Sequence, residues 1–248
     1  MQGVVSKTRS LFQSTVIICL LTFSLAFTPQ LADARDPWID LTDAKAAQKQ
    51  GNHSDVIRKT TAVIASRYFD GKELAKVYVM RAQAHERMGD LASAIVDYSK
   101  AISIQPNGFK SFVNRGMIFL RLKRSDEALK DFNAAIANNP KHPFAYVNRA
   151  IIWKQRVKLQ SALNDLNKAL DMAPGMLVAI AARGEIYWML KRDAEAVADY
   201  SVVLKLPNAN PIFHWWRGMS LNRLRKFDAA LSDLNHVVKA RLGAALTY

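Results

Sequence analysis

The stretch FVNRGMIFLRLKR, residues 112–124, places an Arg-Gly pair inside an apolar segment and ends on clustered positive charge. Close relatives of this stretch recur along the chain. An arginine followed by Ala or Gly returns every 34 residues, at Arg81, Arg115, Arg149, Arg183 and Arg217. A fixed period of this length indicates an array of structural repeats that bury their apolar faces against one another.

Other residues keep the same period. Small and acidic side chains recur in step with the arginines, at Ala94, Ala128, Ala162, Ala196 and Ala230 and at Asp97, Asp131, Asp165, Asp199 and Asp233. The period divides the chain into the units 75–108, 109–142, 143–176, 177–210 and 211–244. Residues 37–74 are interpreted as a degenerate sixth unit, with about four extra residues near positions 70–73.

Each unit is predicted to contain two amphipathic helices, because its apolar residues recur at steps of three and four. In the unit 109–142 we expect helices at 109–122 and 125–137, joined by a turn at Lys123 and Arg124. The small residues Gly116 and Ala128 are expected to touch where the two helices approach closely. The predicted fold class is therefore all-α.

The motif F-x2-R-G-x2-F…A-x3-F…P of the unit 109–142 resembles the tetratricopeptide repeat, whose pattern is W-x2-L-G-x2-Y…A-x3-F…P. The resemblance implies a right-handed α-solenoid of stacked antiparallel helix pairs over residues 35–248. It also implies a non-enzymatic protein-binding scaffold whose first helices line a concave groove. One departure from the family pattern is that its usual Leu at the seventh position is Arg in all five good units.

The recurring Arg and Asp residues are predicted to form a structural ion-pair ladder. If Gly116 lies beside Ala128, then Arg115 should face a residue slightly beyond Ala128, and Asp131 is in that place. An arginine between two helices would be costly without a counter-charge. We expect each Asp to be shared between neighbouring repeats. The alternative is a row of five arginines exposed to an anionic ligand.

The resemblance places particular residues of the first helices on the concave face. Asparagine amides there could both donate to and accept from a partner backbone, and Met or Trp would give adaptable apolar contact. The alternative is that they only pack between neighbouring first helices. The candidate groove residues are Asn114, Met117, Arg121, Asn148, Ile151, Lys154, Trp188 and Trp215.

Positive charge is concentrated at the turns between the two helices of a unit, in a chain of net charge +14. Stacked repeats would align these clusters along one edge, which would attract acidic proteins, anionic polymers or lipid head groups. The simpler interpretation is solvated charge that complements helix C-termini. This predicted basic edge comprises Lys123, Arg124, Arg156, Lys158, Lys191, Arg192, Arg225 and Lys226.

The first 34 residues are predicted to be a cleaved bacterial signal peptide. Lys7 and Arg9 precede an apolar run at 16–27, and Ala32-Asp33-Ala34 offers a cleavage site. The run is shorter than the roughly 20 residues of a membrane span, which disfavours an inner-membrane anchor. We therefore expect a periplasmic or secreted protein with a protein or peptide partner, and no nucleic acid.

The sequence offers no recognised chemistry. It contains no G-x-S-x-G, H-E-x-x-H or Gly-rich phosphate loop, and its one cysteine, Cys19, lies in the predicted signal peptide. No catalytic residue, metal site or cofactor is expected. Apolar residues of the last unit have little chain after them, so we expect self-association or partner docking at that end. The alternative function is binding of anionic envelope polymer or lipid head groups by the basic edge, which would bring the protein to a membrane surface.

Overall fold

The computed structural model describes residues 36–245, with side chains placed to residue 240, so the predicted signal peptide lies outside the described residues. Residues 36–245 contain twelve α-helices and no strand. The helices are α1 (Pro37–Lys49), α2 (His53–Ala65), α3 (Gly71–Arg87), α4 (Leu91–Ile104), α5 (Phe109–Arg121), α6 (Ser125–Asn138), α7 (Pro143–Gln155), α8 (Leu159–Met172), α9 (Leu177–Met189), α10 (Asp193–Val203), α11 (Ile212–Arg223) and α12 (Phe227–Ala245).

The helices stack as successive pairs. Each odd-numbered helix packs most extensively against the even-numbered helix that follows it, and each even-numbered helix packs on the first helix of the next pair. The first helices also touch one another, α5 with α7, α7 with α9 and α9 with α11, so they line a common side of the array. The predicted all-α solenoid is confirmed. None of its described helices is both long and apolar enough to cross a bilayer.

The turn between paired helices has a repeated conformation. Lys123 adopts a φ of 59° and its N–H donates to the Leu120 carbonyl, while the Arg124 N–H donates to the Phe119 carbonyl at 2.8 Å. These bonds satisfy the last carbonyls of α5 and end the helix sharply. The same positive φ recurs at Val157, Lys191 and Arg225, and glycine takes this place in the first good repeat, at Gly89.

The degenerate unit is a genuine helix pair, α1 with α2. The side chain of Asn52 accepts a hydrogen bond from the Asp55 N–H at 3.2 Å and so caps the start of α2. The extra residues near 70–73 do not enlarge the loop. They lengthen the next helix, α3, which begins at Gly71 and has 17 residues.

The close approach of α5 and α6 differs from the predicted one. A side chain built on Gly116 would lie 2.9 Å from the Phe132 ring and 3.2 Å from the Asp131 Cβ, whereas Ala128 is not among its nearest neighbours. The contact is therefore about one helical turn further along α6 than expected. Because Gly116 has no side chain, the Phe132 ring fits against it. The adjacent Arg115 side chain then lies next to Asp131.

Candidate functional site

The recurring arginines and aspartates meet in the structure. The Arg115 Nε lies 2.9 Å from Asp131 Oδ2 and its Nη2 lies 2.7 Å from Oδ1, which is a bidentate pair. Asp131 is buried and the Arg115 side chain is only 19% exposed. The other four repeats have the same geometry, in the pairs Arg81–Asp97, Arg149–Asp165, Arg183–Asp199 and Arg217–Asp233.

Each arginine also joins its repeat to the preceding one. The Arg115 Nη1 donates to the Ser99 hydroxyl of the previous second helix at 2.8 Å. The corresponding acceptors for the other arginines are Thr61, Asn133, Asn167 and Ser201. The expectation that the aspartate would be shared between repeats is wrong, because the guanidinium has enough donors to bridge and the carboxylate is occupied by its own repeat.

The degenerate repeat has a corresponding ion pair, but its acidic residue lies on the first helix and its basic residue on the second. Lys59 on α2 lies 3.0 Å from Asp43 on α1, at the same separation of 16 residues that joins each Arg to its Asp. Asp40 also accepts from the Lys59 Nζ at 3.1 Å, and Lys59 is buried. The sequence pattern did not predict this pair, because the other five units have arginine at the seventh position and this unit has aspartate there.

A concave pocket of about 740 Å³ lies at the first three helix pairs. It contains three of the eight candidate groove residues, Asn114, Met117 and Arg121, all from α5. The remaining lining residues come from α1, α2, α3 and α4: Gln48, His53, Val56, Gln83, Ala84, Glu86, Arg87 and Tyr98. Met117 is 41% exposed, so this pocket presents an apolar side chain to solvent.

The polar groups of this pocket are partly paired with one another. Arg121 Nη1 lies 3.3 Å from Glu86 Oε1, and the Gln48 amide donates to the Gln83 side-chain oxygen at 3.1 Å. Burial, followed by the charge of Glu86, raises the pKa of Tyr98. The Tyr98 phenol therefore stays neutral and can donate, and its oxygen lies 3.5 Å from Glu86 Oε2.

A second depression of about 490 Å³ continues from the first and shares Gln48 and Gln83 with it. Its apolar lining includes Met80 and Phe109. Three lysines also line it: Lys72, Lys76 and Lys110. The two depressions together give a groove with amide and apolar contacts in its middle and positive charge towards the starts of α3 and α5.

Three further groove candidates lie on α7, outside this pocket. The Asn148 amide donates to the Phe144 carbonyl of its own helix at 2.9 Å. Lys154 forms an ion pair with Glu185 at 2.8 Å and so connects α7 with α9, while Ile151 is half-buried. In this structure, polar contacts within the solenoid therefore occupy Asn148 and Lys154.

The last two candidates belong to a tryptophan cluster between α9 and α11. The Trp188 and Trp216 rings are edge-on with centroids 4.4 Å apart, and Trp215 meets Trp216 in the same manner at 4.5 Å. The Arg223 guanidinium lies 4.9 Å from the Trp188 ring centroid and donates to the Trp188 carbonyl. The sequence pattern places Trp216 on the same side as Trp215 but does not show that it lies at the centre of this cluster, because that contact depends on how adjacent repeats stack.

The predicted basic edge is partly neutralised. Arg124 pairs with Glu127, Arg192 with Glu195 at 2.7 Å and Arg156 with Asp126 at 2.5 Å. Lys158 lies over the Trp153 ring at 5.5 Å. Among the residues whose side chains are placed, the edge cations that form no ion pair are Lys123, Lys158, Lys191, Arg225 and Lys226.

Within the same described part of the chain, no three His, Cys, Asp or Glu side chains come together as a metal site. The pocket beside α5 combines amide, apolar, acidic and basic side chains in one concave surface.

Comparisons with known proteins agree with the helix-pair architecture. A family model described as tetratricopeptide repeat matches residues 79–143 and 113–176. No curated protein sequence gives a significant match.

Several solved structures share the fold. A tetratricopeptide repeat protein from Parabacteroides merdae is 18% identical, with a TM-score of 0.69 over 82% of this chain and 79% of its own. Pseudomonas aeruginosa PilF is 14% identical, with a TM-score of 0.68 over 79% of this chain and 88% of its own. YrrB, described as having an unusual peptide-binding site, is 16% identical, with a TM-score of 0.59 over 66% of this chain and 85% of its own. At these identities the similarity establishes the fold alone.

Proposed function

The chain is a tetratricopeptide repeat protein, and on this premise we propose that it is a non-enzymatic scaffold of the bacterial envelope that holds a partner peptide or helix on its concave surface. Proteins of this family are in general protein-interaction modules. The observation that carries the proposal is the pocket of about 740 Å³ formed by α1 to α5, which contains Asn114, Met117 and Arg121.

The pocket suits a peptide better than a small metabolite. It is open along the array and continues into the second depression of about 490 Å³, so an extended chain or a helix can lie across several repeats. Amides at Gln48, Gln83 and Asn114 can bond a peptide backbone through both donor and acceptor atoms. Met117 adds an apolar contact that adapts to differently shaped side chains.

The charge of the chain supports an acidic partner. Its net charge is +14, and three lysines line the second depression. A field of this sign accelerates encounter with acidic proteins more than it adds to the final affinity. The proposed export rests on the signal-peptide pattern of residues 1–34, and it places the encounter in the periplasm or outside the cell.

Enrichment from bacterial envelope extract tests the proposal. The wild-type chain and a Val96→Ala control, altered at an exposed position of α4 outside the pocket, should retain the same partner. A variant that combines Asn114→Ala with Met117→Ala should lose it. The wild-type complex should survive about 0.5 M salt, where exposed charge attraction is largely screened. Full retention by the double variant would contradict the groove as the binding site.

A second candidate function is binding of anionic polymer or lipid head groups through the basic edge. Lys123, Lys191 and Arg225 occupy the same position of three repeats, form no ion pair within the described residues, and hold a positive φ at which glycine would be unstrained. Val157 holds the same φ in a fourth repeat, so the support comes from the three unpaired cations at one repeated position and not from the strain. This binding should collapse in high salt and with Lys123→Glu plus Lys191→Glu, while the groove variant should leave it intact.

A further inference from the structure

The outer face of the last helix, α12, has the composition of an internal interface. The residues Leu231, Leu234, Asn235 and Val238 define this α12 face. Leu231 is 60% exposed and Val238 is 55% exposed. At the same positions two repeats earlier, Leu163 and Leu170 are 3% and 7% exposed.

Earlier repeats show what these apolar positions contact. Ile95, which corresponds to Leu231, packs against the cluster that contains Phe119 of the following repeat. Ile136, which corresponds to Val238, packs against the cluster that contains Tyr146 of the following repeat. Both positions therefore receive the first helix of the next helix pair, and the α12 face offers the same two contacts.

α12 also has a polar residue, Asn235, at the position that bonds the ladder arginine of the next repeat in the internal interfaces. The residues Ser99, Asn133, Asn167 and Ser201 each accept a hydrogen bond from the ladder arginine of the next repeat. Asn235 lies 34 residues after Ser201 and is exposed. Its side chain makes no hydrogen bond among the described residues, so the amide oxygen can accept from an incoming arginine.

Three of the five incoming helices of the internal interfaces share a pattern that fits this surface, whereas α3 and α11 have Ala84 and Ser220 in place of the isoleucine. Three residues after the ladder arginine, Ile118, Ile152 and Ile186 are almost fully buried. Ile118 lies in one cluster with Ala94 and Tyr98 of the preceding repeat. On α12 the corresponding receptor positions are Ala230 and Leu234. The complementary ligand is therefore an amphipathic helix with the pattern Arg-x-x-Ile.

We propose that the α12 face is a docking site for an amphipathic helix of another protein that carries Arg-x-x-Ile, with its arginine bonded to Asn235 and its isoleucine seated on Leu234. A second copy of this chain fits less well. At the opposite end of the array, α1 has Asp43 and Ala46 at the two pattern positions, so it brings neither the arginine nor the isoleucine. This site is separate from the concave pocket and does not depend on the proposed function.

A helical probe taken from an internal interface tests the proposal. The probe is a fluorescent peptide of residues 143–156, PFAYVNRAIIWKQR, stapled on the side away from Arg149 and Ile152, because a free peptide of this length is scarcely helical. Its binding to the full chain is followed by fluorescence anisotropy. We expect saturable binding that weakens at least about tenfold with Leu231→Asp and with Val238→Asp, and also when the probe carries Arg149→Ala.

Matched controls separate this site from the groove. Met117→Ala alters the concave pocket and should leave binding of the probe unchanged. Both aspartate substitutions lie at exposed positions, and unchanged thermal unfolding would verify that each variant is folded. Unaltered binding to both aspartate variants, or loss of binding in Met117→Ala alone, would overturn the proposal. A concentration-dependent dimer that Leu231→Asp abolishes would also overturn it, because the face would then belong to a second copy.

Discussion

Replacing Arg115 by Leu, the residue that the family usually has at this position, separates a structural role of the ladder from a ligand-binding role. In the structure Arg115 makes two bonds to Asp131 and one to Ser99. The substitution would leave the Asp131 carboxylate buried without its counter-charge. Ser99 would remain bonded, since its hydroxyl also donates to the Ile95 carbonyl at 2.6 Å.

The expected loss follows from burial. Removing one partner of a buried ion pair costs about 3–5 kcal/mol. The Asp131 side chain is only 5% exposed, but the Arg115 side chain that covers it is 19% exposed, and its replacement by the shorter Leu lets water approach the stranded carboxylate; we therefore expect about 3 kcal/mol, the lower end of that range. Combining Arg115→Leu with Asp131→Leu removes the stranded charge and should restore stability to within about 1 kcal/mol of wild type.

Urea unfolding followed by circular dichroism measures these changes, and hydrogen exchange localises them to residues 109–142. A repeat array need not unfold in a single step, which makes the local measurement necessary. Arg121→Leu is the matched control on the same helix. Its ion pair with Glu86 is more exposed, so its loss should cost no more than about 1 kcal/mol. A loss below about 1 kcal/mol for Arg115→Leu, together with abolished partner binding, would refute the structural role.

Three other perturbations have expected outcomes. Lys123→Gly should raise the free energy of unfolding by about 1 kcal/mol, measured by urea unfolding, because Lys123 holds a φ of 59°. Ser220→Ala should raise the thermal unfolding temperature, since the buried Ser220 hydroxyl has no hydrogen-bond partner among the described residues; a fall would contradict this reasoning. Burial alone would raise the pKa of Asp233, but hydrogen bonds from Arg217 and His214 outweigh it and lower that pKa. Asp233 should therefore stabilise the last repeat above about pH 3.9 and lose that effect as the pH falls further, which an acid titration of wild type against Asp233→Asn would detect.

The sequence predicted those features that repeat within one unit. Helices were expected at 109–122 and 125–137, and they are found at Phe109–Arg121 and Ser125–Asn138. The pairing of Arg115 with Asp131 could also be anticipated, because it joins two helices connected by a short turn. Local periodicity is enough for such contacts, since the turn fixes the register of the two helices.

Contacts between repeats were much less predictable. The bond from Arg115 to Ser99 and the packing of Trp188 on Trp216 depend on the rotation of one helix pair against the next. The pair of Asp43 and Lys59 did have a signal in the sequence, its 16-residue spacing, but the other five repeats have arginine rather than aspartate at the position of Asp43. The groove candidates lie on four first helices, α5, α7, α9 and α11, whereas the structure gathers only those on α5 into the pocket of about 740 Å³.

Oxidative footprinting of methionines is the most direct test of partner binding on the concave surface. Met117 lines the pocket and Met88 lies outside it at the end of α3, and both side chains are exposed, so a mild oxidant should convert both to the sulfoxide in the free protein. With the partner bound, we predict that oxidation of Met117 slows strongly while that of Met88 is unchanged. Unchanged oxidation of Met117 in a saturated complex would contradict the account.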